Sequence, residues 1–123
     1  MVVLTCTLAA TVSVSAPAAE HQLRRHAAVG ETVRIRGHVN YHGCGRAIPT
    51  TITVVRAPVH GALEVRDDTV RSVDPDLGTG EKCRDFTGPG KVVYYTRTSS
   101  GPDRLEYTSS SENGVVKIDV TID

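Results

Sequence analysis

Tryptophan is absent from this 123-residue chain, phenylalanine occurs once, and aromatic residues make up 4% of it. So few rings leave little to stack on nucleobases or sugars. A surplus of charge is lacking as well: 14 Lys plus Arg balance 14 Asp plus Glu. No overall field therefore draws the chain to nucleic acid or to anionic lipid. No segment sustains a 3.6-residue apolar period, so there is no helix for a phosphate-cradling glycine loop to open. Neither a nucleophile elbow nor any related signature frames the Ser, His and Asp residues present. The expectation is a noncatalytic chain.

Cysteine is scarce and its number is odd: Cys6, Cys44 and Cys83. The opening MVVLTCTLAATVSVSAPAAEHQ runs without charge from Val2 to Val14 and continues in small residues. Ala16-Pro17-Ala18 fits the small-x-small cleavage pattern of a secretory signal peptide, although no Lys or Arg precedes the run. The competing reading is a buried first strand, since Val and Thr favour strands. Thr5 is a poor residue to precede a lipidated cysteine, so Cys6 is not read as a lipoprotein anchor. Residues 1–18 are expected to be a signal peptide, 19–30 a flexible lead-in holding His21 and His26, and 31–123 one domain. Cleavage removes Cys6 and leaves an even pair. In a secreted or periplasmic protein that pair is expected to be a disulfide, Cys44–Cys83. Closing a loop of about 40 residues contributes roughly 4 kcal/mol by the chain-entropy estimate. No further apolar stretch is long enough to span a membrane.

What the chain does contain is strand patterning. ETVRIRGHV sets Val33, Ile35, Gly37 and Val39 against Thr32, Arg34, Arg36 and His38, a period of two. TTITVVR (Thr50–Arg56) is rich in β-branched residues, and Pro58–Gly61 reads as a turn before a strand at Ala62–Arg66. KVVYYTRT and DRLEYTSSS flank a turn at SSGP. GVVKIDVTID alternates Val116, Ile118, Val120 and Ile122 with polar residues, and Asn113-Gly114 before it is a strong hairpin signal. About seven short strands at this spacing predict an all-β antiparallel sandwich. Val70–Gly90, rich in Gly and Asp and without a period, reads as a long loop.

These residues resemble the bacterial cadherin-like and immunoglobulin-like (Ig-like) repeat domains of secreted proteins. The matching positions are Pro58, His60, Gly61 and Leu63; Tyr94 and Tyr95; Gly101, Asp103, Leu105 and Tyr107; and Ile118, Val120 and Ile122. The resemblance covers the C-terminal part of the chain from Val54 and implies an Ig-like sandwich, in which His60 is a turn residue. It says little of function, because such domains serve as adhesive modules, spacers and binding units. The chain departs from the pattern in having one unit, Leu105 where Phe is favoured, and a cysteine pair the family does not require.

HVNYHGCG concentrates the candidate chemistry. His38, His42 and Cys44 could form a soft site for copper or zinc. On an extended strand, however, positions i and i+4 lie about 13 Å apart, and no further ligand pair completes the set. A disulfide at Cys44 would also remove the thiolate. A calcium loop is faintly suggested by Asp74, Asp76 and Glu81 with Asp67 and Asp68 nearby, but the full ligand spacing is missing. No cofactor is therefore expected. The favoured surface is the loop region His38–Arg46 with Val70–Lys91, where His38, His42, Arg46, Lys82, Arg84 and Lys91, set among acids, suit a protein partner. The expected role is an exported, noncatalytic Ig-like module, protein-binding or structural in the cell envelope, monomeric or weakly oligomeric. The alternative is a small periplasmic copper or zinc binder using His38 and His42.

Overall fold

The computed structural model describes residues 19–42, 46–72 and 86–123. All regular structure in them is β: β1 (Ala19–Arg25), β2 (Thr32–His38), β3 (Asn40–His42), β4 (Arg46–Ile48), β5 (Thr51–Arg56), β6 (Gly61–Ser72), β7 (Phe86–Arg97), β8 (Asp103–Ser111) and β9 (Gly114–Ile122). One sheet has the order β1-β9-β8-β5, a second β2-β7-β6, and β3 pairs with β4 in a small hairpin. Every pairing is antiparallel except β1 with β9, which is parallel. Among the described residues, no helix is long and apolar enough to cross a membrane.

The two larger sheets share one core. Ile35, Val93 and Tyr95 from one layer pack with Leu105, Tyr107, Ile118, Val120 and Ile122 from the other. Burying each such side chain contributes about 1.5–3 kcal/mol. The period-two pattern at β9 therefore faces inward as the sequence predicts, and β8 alternates between buried and less buried positions in the same way. Asn113 and Gly114 fall at the β8–β9 turn, but the loop residues are Glu112 and Asn113. Gly114 already pairs with Ser111, at φ 120°. Arg25 ties the layers together, its Nε and Nη2 both donating to the Ile35 carbonyl oxygen.

Three departures from the sequence reading have local causes. Ala19–Arg25, expected to be a flexible lead-in, is a strand at the edge of the four-stranded sheet. In β2 the register slips between Arg34 and Arg36. A bulge of this kind exchanges the faces of the residues beyond it. His38, placed by strict alternation with the outward arginines, thus turns inward and is 8% exposed. Val39 instead joins Val70 and Val92 in a second, smaller cluster against which Tyr94 packs. Val70–Ser72 and Phe86–Gly90, read as part of a long loop, extend one hairpin that is paired from Gly61↔Arg97 to Ser72↔Phe86. Pro89, which has no N–H to donate, lies beyond the β2–β7 ladder, which ends at Lys91, so no β2 carbonyl is left waiting for a donor there. Gly90 is required: a Cβ there would run into the His38 carbonyl oxygen.

Candidate functional site

The strand directions collect the connections at two ends. Residues 26–31, 57–60 and 98–102 lie at the end where β8 begins. The paired ends of β3 and β4, the β8–β9 turn and the Ser72↔Phe86 end of the β6–β7 pair lie at the other.

At the first end Asp103 is 4% exposed and accepts four hydrogen bonds. Its Oδ1 takes the Val59 amide (2.9 Å) and the Arg104 amide (3.0 Å). Its Oδ2 takes the His60 amide (2.9 Å) and the Tyr95 hydroxyl (2.7 Å). Burial alone would raise the carboxyl pKa, but these four donors together hold it below the ordinary value. Burial and the neighbouring carboxylate push the Tyr95 hydroxyl up to about 12. Arg97, equally buried, donates from Nε to the Ala27 carbonyl (2.6 Å) and from Nη1 to those of Ser99 (3.1 Å) and Gly101 (2.5 Å). The His60 carbonyl receives the Thr98 and Ser99 amides, and its ring meets the Ser99 hydroxyl at 2.8 Å. The residues matched as Pro-x-His-Gly and Gly-x-Asp are therefore two halves of one clamp, with His60 in the turn. Arg97 carried no signal in the sequence. An open groove of about 440 Å³ at this end is lined mainly by Ala27, Ala28, Val29, Arg97, Pro102 and Asp123.

At the other end the histidines part. His38 Nε2 lies 2.7 Å from the Tyr107 hydroxyl, with the rings edge-to-face at 5.4 Å. Burial first, then the positive charge of Arg36, His21 and Arg34, lowers the His38 pKa to about 4. His38 is thus neutral at physiological pH, and burial raises the Tyr107 pKa above the ordinary tyrosine value. His42 points to solvent, 2.6 Å from Glu112 Oε2, and faces Arg46 across the β3–β4 pair. The Asn113 side chain donates to the Tyr41 carbonyl (3.1 Å), holding the turn against that hairpin, and Asn40 reaches the Thr50 hydroxyl at 2.7 Å. Lys91 pairs with Asp67 on the β6–β7 hairpin.

Of the candidate surface, His42 and Arg46 thus share an exposed corner with Glu112, while His38 belongs to the core. Cys6, Cys44, Lys82, Cys83, Arg84, Asp74, Asp76 and Glu81 lie outside the described residues, and with them the expected disulfide and most of the calcium candidates. Among the described residues, no three His, Cys, Asp or Glu side chains are grouped to hold a metal ion. No protein-family model, curated protein or solved structure matches the chain.

Proposed function

We propose that the chain is an exported, noncatalytic Ig-like module that binds a protein partner, or joins envelope structures, through its β3–β4 end. The strand order supports the Ig-like part. A layer running β5-β8-β9 facing a layer running β2-β7-β6 corresponds to the C-F-G and B-E-D sheets of such sandwiches. The observation that carries the functional reading is the division of polar chemistry. The buried groups of Asp103, Arg97 and His38 are engaged in holding the scaffold, while His42, Arg46 and Glu112 stand exposed where the loops gather. Loops carried by a rigid sandwich are where such folds bind.

A photo-crosslinking residue at Arg46, compared with one at Pro102 on the opposite end, tests the reading in the envelope fraction of producing cells. One discrete protein adduct from position 46, and none from 102, is the expected result. Equal, diffuse labelling from both ends would remove the β3–β4 end as a binding surface. Native mass of the exported chain reads the remaining expectations together: a start at Ala19, a Cys44–Cys83 disulfide, and any bound copper, zinc or calcium.

A further inference from the structure

The exposed apolar side chains are not scattered. Of the six exposed large hydrophobics among the described residues, Val54, Val55, Val59 and Val65 all belong to β5, β6 and the turn between them. β5 and β6 are the edge strands of their respective sheets. Val54 pairs with Tyr107 and Val65 with Val93, both fully buried core residues, so the two valines sit on the inner faces of their strands. They are nevertheless 45% and 42% exposed. Among the described residues the sandwich is open along this side, and β5 carries no lysine and a single charge, Arg56, whereas β6 carries Glu64, Arg66, Asp67, Asp68 and Arg71.

We propose that this side is a self-association surface, on which β5 pairs antiparallel with β5 of a second copy of the chain about a two-fold axis at Thr53. The proposal goes beyond the binding role of the β3–β4 end and uses a separate surface. Charge favours a second copy. Thr51–Val55 carries none, so two-fold pairing sets no like charges opposite each other, and the single Arg56 falls beyond the paired stretch. The chain as a whole has no net charge to keep copies apart. Register favours it too. Centred on Thr53, Ile52 of each copy lies opposite Val54 of the other, on the inner face where both are needed. In the β5–β8 pair the register shifts between Val54 and Arg56, beyond the Ile52 and Val54 positions that carry the two-fold contact. The same axis brings the two β6 edges toward each other and shields Val65. A six-residue edge falls short of the ~1,600 Å² of a standard stable interface, so the dimer is weak.

Sedimentation equilibrium of the full chain, from low-micromolar to sub-millimolar concentration, is the test. Concentration-dependent dimerisation is expected, and Val55→Lys should weaken it at least about tenfold while leaving the fold, read by circular dichroism, unchanged. A Thr53→Cys variant should trap the dimer as a 53–53 disulfide, identified by peptide mass, because directly opposed strand positions lie within disulfide reach. Arg24→Cys, on the opposite edge of the same sheet, should give no symmetric 24–24 link. A chain that stays monomeric throughout overturns the proposal and leaves the edge to a strand of another protein. A dimer that Val55→Lys leaves intact, or that links through position 24 rather than 53, also overturns it. Failure here would leave the Arg46 crosslinking result standing, since that experiment reads the other surface.

Discussion

Asp103 and Glu112 are carboxylates at opposite ends of β8, and the sandwich treats them in opposite ways. Asp103 is withdrawn from water and receives four donors from three different parts of the chain. Glu112 is 69% exposed and meets one exposed histidine. A buried carboxylate can persist only if its lone pairs are filled, because an unpaired buried charge costs far more than a hydrogen bond returns. An exposed one is hydrated whether or not it has a partner. The difference separates an end that fixes the fold from an end whose side chains are free to meet something else.

Removing the clamp should have the largest effect. Asp103→Ala strands the Tyr95 hydroxyl and the Val59 and His60 amides together, a loss of about 3–5 kcal/mol in urea unfolding. That is a large share of the stability of a small domain. A loss below about 1 kcal/mol would erase the contrast between the ends. Next is acid. The folded pKa of His38, about 4, lies below its ordinary 6.5. The unfolded chain therefore binds the extra proton first as the pH falls. The stabilisation is complete above pH 6.5 and is lost between 6.5 and about 4, amounting to roughly 3 kcal/mol. Unfolding midpoints across this range should fall for the wild type and stay flatter in His38→Gln. Asp103, held below its ordinary pKa, contributes a separate loss that begins as the pH falls through the usual carboxylate range. Gly90→Ala should cost about 1–3 kcal/mol, since the strand must move off the His38 carbonyl.

His38 also marks where sequence reasoning stops. β-branched content identified β5 and a flanking turn β8, while alternation identified β2 and β9, a pattern that any one-sided sheet imposes. It could not show the bulge at Arg34–Arg36, since an extra residue changes no composition, yet that residue decides whether His38 is a surface ligand or a core group. β1 escaped for a different reason: in AEHQLRR, Leu23 is the single large apolar residue, and its strand is defined by pairing with β9. The Asp103 clamp was half legible, because the motif flagged Asp103 and His60 without saying that one holds the other's backbone. Arg97 was not legible at all, since its partners are carbonyl oxygens that every sequence supplies.

The smallest expected effect is the sharpest test of the contrast. His42 and Glu112 form an ion pair only when the imidazole is protonated, and both side chains are more than half exposed. Holding two such side chains in one geometry offsets most of what their attraction gives, so exposed pairs contribute about 0–1 kcal/mol. His42→Ala and Glu112→Ala should therefore each change the unfolding free energy, read by urea titration, by under about 1 kcal/mol, and the double variant by no more than the sum. If His42→Ala instead approached the effect of Asp103→Ala, the β3–β4 end would be as integral to the fold as the clamp. A stability near wild type, combined with loss of the adduct formed from position 46, would assign His42 to recognition. That combination cannot arise at Asp103, where recognition and folding could not be separated by mutation.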